Sequence, residues 1–389
     1  MSSPHQFHIP VMGLAYTVDS PIKVARFGIS SVISIVEDRL VEMMRGYYYR
    51  QTNQPYIPIT PKEDDYRARR ITDYLNLVNM IVQEQVKKLK ASAFEAGSEL
   101  VKYFELLPCS SPLKGAYRQM MDEQDAQEKA RLEQWLRQQV RPGSIDVNIM
   151  TKVDKDNFDK KGTLLENGSD ALSALRGYMK SNLSPSSIIF SAGMNPRLFN
   201  YLESFAELDA NEEGVFAKKV VIKVSDYRSA LIQGKYLAKK GIWVSEFRIE
   251  SGLNCGGHAF ATDGYLLGPI LQEFSDRKEE LTTALFSLYG AARQAKGAPL
   301  LENPPAITLT VQGGIGTYEE ARFLQQQYGI ESTGWGSPFL LCPEATTVDE
   351  KTLSLLREAG EEDIVLSRNS PLGVRFHYLK GSGAEKEKL

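Results

Sequence analysis

The chain has 389 residues, of which 42% are hydrophobic and 24% charged, and its net charge is −3. Such a composition belongs to a folded globular protein and excludes a disordered, collagen-like or fibrous chain. The slightly acidic balance supplies no field that would draw the chain to nucleic acid or anionic lipid.

Short apolar, β-branched runs recur along the chain at residues 8–13, 30–36, 144–150, 187–191, 219–224, 242–249, 306–311 and 330–335. Most are continuous rather than alternating, as expected of parallel strands buried on both faces. Helical patterns lie between them at residues 21–27, 171–180, 196–208, 226–240, 266–293 and 317–328. Asp226 and Thr317 are suited to N-caps, and Gly241 and Gly329 to C-terminal stops. Eight strands alternating with helices predict an α/β fold, a (β/α)₈ TIM barrel, in one domain spanning residues 1–389. A doubly wound open sheet is the alternative that the same pattern allows.

A barrel needs only about 250 residues. The excess sits mainly in residues 37–142, after the second strand. There Ile71, Leu75, Val78, Val82, Val86 and Leu89 form one apolar stripe at helical spacing, and Leu132, Leu136 and Val140 form another. The segment reads as a helical insertion with a buried face. Because it follows a barrel strand, it is expected at the C-terminal mouth, where it would wall or cover the site. Residues 351–389 form a C-terminal extension with one further helix.

Cys109, Cys255 and Cys342 are too few and too dispersed for a disulfide framework or a zinc cluster. No apolar run approaches the roughly 18 residues of a membrane helix. Residues 1–10 lack the pattern of a secretory signal. These features together predict a cytoplasmic protein with a small-molecule substrate and no nucleic-acid, membrane or metal partner. The charge-rich insertion neither requires nor excludes a homo-oligomer.

The sharpest motif is Gln312-Gly313-Gly314-Ile315-Gly316-Thr317, followed by Gly334-Trp335-Gly336-Ser337-Pro338-Phe339. Each ends a strand and opens a helix. Glycines allow close backbone approach, and helix starts offer free N–H groups, so the pair matches the phosphate site that barrels build after strands 7 and 8. The second motif, residues 251–258, ends in Gly256-Gly257-His258 and sets a histidine at the C-terminal face after strand 6. A histidine there is suited to proton transfer. Lys223 is in phase with Val221, so it faces either the barrel interior or solvent. If it faces inward it needs an anionic partner, such as a bound phosphate.

The order IPVMG, VN, NCGGH, QGGIG and GWGSPF with CPEA resembles the nitronate monooxygenase family, formerly 2-nitropropane dioxygenase. That family is related to flavin-type enoyl reductases and, distantly, to inosine monophosphate dehydrogenase. The resemblance covers the barrel segments. It lacks the family's Glu-Ala before Gly-Gly-His, where this chain has Asn254-Cys255. The resemblance implies an FMN-dependent oxidoreductase. Gly313, Gly314, Gly336 and Ser337 would cradle the FMN phosphate, Gly13 would lie near the ring, and Asn148 would bond the flavin edge. His258 would be the proton-transferring group, while Cys255 would be either a nucleophile, as in the inosine monophosphate dehydrogenase relatives, or, as its glycine neighbours favour, an unreactive small residue in a tight turn. The motifs alone also admit a flavin-free lyase or isomerase acting on a phosphorylated metabolite, and a non-catalytic barrel that docks a partner through its insertion.

Overall fold

A computed structural model describes residues 4–13, 15–35, 37–149, 154–159, 161–191, 193–250, 267–366 and 377–381. Eight parallel strands close into a barrel in chain order, with β1 (Phe7–Ile9) paired to both β2 (Ser30–Ile35) and β8 (Ser332–Gly334). Between them run β3 (Ile145–Ile149), β4 (Ser186–Phe190), β5 (Lys218–Val224), β6 (Val244–Glu250) and β7 (Thr308–Gln312). Closure settles the choice against an open sheet.

The helices that cover the barrel start where their caps dictate. Asp226 accepts from the Ser229 N–H to start α9 (Tyr227–Ala238). Thr317 and Glu320 form a reciprocal capping box at α12 (Tyr318–Tyr328), which Gly329 ends in the left-handed conformation. The long pattern at 266–293 breaks into α10 (Leu267–Asp276) and α11 (Lys278–Ala295) around Arg277. Residues 196–208 hold a helix only as far as α8 (Pro196–Tyr201), after which two 3₁₀ turns reach Leu208.

The insertion divides between the two ends of the barrel, contrary to the expectation that it caps the mouth. Helix α2 (Asp38–Gln51) leaves β2 at the C-terminal end, where Tyr48 donates to Asp19 at 2.8 Å. Helix α3 (Tyr66–Ala91) serves as the second barrel helix. All six residues of its predicted stripe are buried, and it packs on α7 (Asp170–Met179). Close approach depends on Gly177: a Cβ there would lie 2.8 Å from the Ala68 carbonyl oxygen and from Ile71.

Helices α4 (Glu99–Leu106), α5 (Pro112–Asp122) and α6 (Ala126–Gln139) follow at the opposite, N-terminal end. Glu99 pairs with Arg26 at 2.8 Å, and Tyr103 bonds the backbone of Arg141. Arg26 and Arg141 lie on the segments that enter β2 and β3 from below. These three helices therefore pack the barrel floor and cannot form a lid. The extension holds α14 (Glu350–Glu358) and the antiparallel pair β9 (Ile364–Leu366) and β10 (His377–Leu379). Among the described residues no helix is long and apolar enough to cross a membrane.

Candidate active site at the barrel mouth

Side chains of a strand alternate between its faces, so register decides what the barrel encloses. Val32, Ile189 and Val221, with Val11 against them, form a small apolar cluster separate from the main core. Asn148 is in register with Ile189, and Ile189 with Val221, which sets Asn148 on the same interior face. Lys223, two residues beyond Val221, faces inward as well. Glu246, Arg248 and Glu250 alternate along β6 on that face, in register with Thr308, Thr310 and Gln312. The interior is thus charged, where barrels of this class are usually filled by branched aliphatic side chains.

These polar groups form two tiers. In the lower tier Arg248 pairs with Glu246 at 2.8 Å, and Thr310 donates to the same carboxylate at 2.5 Å. Asp146 accepts from Ser144 Oγ at 2.6 Å and from the Ser187 N–H at 2.9 Å. Burial raises the Asp146 carboxyl above the ordinary carboxylate range, with the Ser144 bond and Arg248 opposing the shift.

The upper tier crosses the mouth. Lys223 Nζ donates to Glu250 Oε1 at 3.0 Å, and Gln312 Nε2 donates to the same oxygen. His8 Nε2 lies 3.5 Å from Gln312 Oε1, and its Nδ1 lies 3.4 Å from Ser332 Oγ. Gly334 sits in register between Gln312 and His8. A Cβ there would lie 2.6 Å from Gln312 Cβ and 2.8 Å from His8 Nε2, so only glycine lets the two side chains meet. Burial holds the His8 imidazole well below its usual pKa, with Arg248 adding to the shift, so the ring is neutral at pH 7.

Asn148 is the exception within this satisfied set. It is buried at the end of β3, and its Oδ1 has no hydrogen-bond partner among the described residues. An amide oxygen withdrawn from water and left unpaired carries a penalty of roughly 1–3 kcal/mol.

Around the rim stand the glycine loops. Gly13, after β1, has φ +56°, and Gly313 and Gly314, after β7, have φ +99° and +72°. Each occupies the left-handed region that favours glycine. Glu320 Oε2 accepts from the N–H groups of Gly316 and Thr317 at 2.8 and 3.0 Å. The first donors of α12 are therefore already taken. After β8, Gly336 caps the four-residue α13 (Ser337–Leu340). A Cβ on Gly336 would lie 3.5 Å from Met12 Sδ, so the loops after β1 and β8 adjoin.

Gly13, Asn148, Lys223, Gly313, Gly314, Gly336 and Ser337 thus all lie at the C-terminal ends of their strands. His258 and Cys255 lie outside the described residues. The partner of Lys223 is Glu250, a protein carboxylate. His8 and Glu250 were not singled out by the motif reading, and Gln312 entered it only as the residue that opens the glycine loop. The alternating charges Glu246, Arg248 and Glu250 on a strand buried on both faces were the available signal.

No family model and no curated relative matches the chain. Among solved structures it is similar to a FabK mutant from Thermotoga maritima, at 14% identity and a TM-score of 0.36, over 67% of this chain and 64% of that one. It is also similar to the enoyl reductase domain of MlnA from the macrolactin biosynthesis cluster of Bacillus amyloliquefaciens, at 15% identity and a TM-score of 0.41. That match covers 70% of this chain and 56% of the other. The chain therefore spans less than two thirds of either structure. At these values neither likeness bears on the reaction, and the barrel rests on its own strand pairing.

Proposed function

We propose that this chain is an FMN-dependent oxidoreductase of the nitronate monooxygenase-like kind, acting on a small molecule at the barrel mouth. The observation that carries the reading is Asn148. A buried amide oxygen without a partner, at the open end of a barrel, suits a ligand that brings a hydrogen-bond donor. The edge of a flavin ring brings such N–H groups.

The phosphate would be held by backbone. Glu320 already occupies the N–H groups of Gly316 and Thr317. That leaves Gly313-Gly314 and the start of α13 at Gly336-Ser337 as the donors for an anion. Gly13, where a Cβ would lie 3.0 Å from the Tyr16 ring, would lie near the flavin ring. Bound flavin would supply the redox chemistry, by accepting and returning a hydride equivalent.

The chain's own residues do the rest. Lys223 sets a cation at the mouth, and Glu250 holds it in place while balancing its charge. Gln312 links Glu250 to His8, and the neutral His8 neither adds charge nor repels Lys223. The proton-transfer role falls to His258, which follows β6 in the sequence. General acid–base catalysis by such a group contributes typically ~10²–10⁴-fold in rate.

Two variants read on one set of measurements test this. Gly314→Asp should abolish flavin binding, because a carboxylate would stand where the phosphate must sit and left-handed backbone resists a side chain. Its circular dichroism should stay that of the parent. His258→Asn should retain flavin and lose most anaerobic flavin reduction by substrate. Full flavin content in Gly314→Asp would move the phosphate site elsewhere. Unchanged reduction in His258→Asn would remove the histidine from the mechanism.

A further inference from the structure

The eighth βα unit, like the first with its five-residue α1 (Ser20–Val24), has only a short helix directly after its strand. In barrels of this class each strand is followed by a helix that runs back along the outside. Here β8 leads only into the four-residue α13, and the chain then crosses to Tyr16 and Asp19, where Thr347 is bonded. The outer flank of β1 and β8 is left as a cleft of about 300 Å³.

Its floor is aromatic. Phe7 stacks on Phe339 with ring centroids 5.7 Å apart, and Trp335 lies 6.5 Å from Phe7. The opposite wall is α12, and Leu106 of the insertion closes one end. Arg322, partly buried on that wall, holds its guanidinium 5.9 Å from the Tyr318 ring centroid. Among the described residues it makes no ion pair or hydrogen bond. An apolar trough with one uncompensated guanidinium at its side is complementary to an anion that carries an apolar tail.

We infer that this cleft is a second ligand site, which binds an amphipathic carboxylate with its tail on Phe7, Trp335 and Phe339 and its head on Arg322. The volume is at the small end of ligand cavities, about 300–1,000 Å³. It cannot hold the roughly 800 Å² per partner of a stable protein interface. Both walls begin at the glycine loops of the mouth: α12 follows Gly316, and Trp335 precedes Gly336. The site is nonetheless on the outside of the barrel, separate from the interior network of Lys223 and Glu250.

Decanoate is a suitable probe, and Trp335 reports on it. Of the three tryptophans, Trp243 is fully buried and Trp135 stands on the insertion surface, so a change in emission on binding is assigned by its loss in Trp335→Phe. Titration of the full chain should give a saturable change. By calorimetry, Arg322→Ala should weaken decanoate about tenfold or more, the loss expected of a charge-assisted pair, without lowering the unfolding temperature. Decanol should bind at least about tenfold more weakly than decanoate, because it lacks the charge. Absence of saturation, equal affinity in Arg322→Ala, or equal binding of decanol would overturn the assignment. So would a dimer in sedimentation that Ala321→Arg dissolves, since a second copy would then fill the cleft.

Discussion

His8 carries an imidazole sealed among Gln312, Ser332 and the two interior cations, and burial keeps it unprotonated. Its folded pKa lies below the unfolded value near 6.5. As pH falls below 6.5 the unfolded chain takes up a proton that the native chain refuses, so stability declines in that window. One such group contributes a slope approaching about 1.4 kcal/mol per pH unit. His8→Gln should flatten the fall in unfolding free energy between pH 6.5 and 5, and denaturant titrations at each pH would measure it. An unchanged slope would mean that His8 is protonated in the native barrel. The inward placement of Lys223 was legible only up to a choice between two faces, because period two fixes phase and not direction. The Ile189–Val221 pairing supplies the direction. Glu250 was missed for a related reason: it looks like an ordinary polar strand end until register brings Lys223 and Gln312 to one of its oxygens.

At the scale of elements, the strand runs, the caps at Asp226 and Thr317, and the apolar stripe of α3 were readable because each is a local pattern. The destination of the insertion was not. Position after β2 pointed to the mouth, and α2 is there. Helix α3, however, carries the chain the length of the barrel, and 26 residues of helix amount to about 39 Å. The helices that follow it therefore pack at the floor. That long helix depends on its seam with α7, where Gly177 brings the backbones together and Thr72 Oγ1 donates to the Gly177 carbonyl at 3.0 Å. Gly177→Val would press two methyl groups into Ala68 and Ile71. Overpacking of this kind costs typically about 1–3 kcal/mol. The expected result is a clear drop in unfolding temperature, whereas an unaltered midpoint would show that the α3–α7 seam is loose.

Taken whole, the molecule is a closed barrel with its charges inside and its glycine loops at one end. Closure and strand order followed from counting βα units. The charged interior was not anticipated, since each interior ion gains its meaning from partners on neighbouring strands distant in sequence. That interior has a consequence for function. Glu250 already pairs with Lys223 and accepts from Gln312, and Glu246 satisfies Arg248, so among the described mouth groups it is the Asn148 amide oxygen that is left without a partner. The flavin reading rests on that unpaired oxygen together with the backbone donors at Gly313-Gly314 and Gly336-Ser337. The most direct test is the flavin content of the purified full-length protein, measured by its absorption spectrum and by the cofactor released on denaturation, with and without added FMN. The expected result is a yellow protein holding close to one FMN per chain, with reduced occupancy in Asn148→Ala. A colourless protein that leaves added FMN unbound would contradict it.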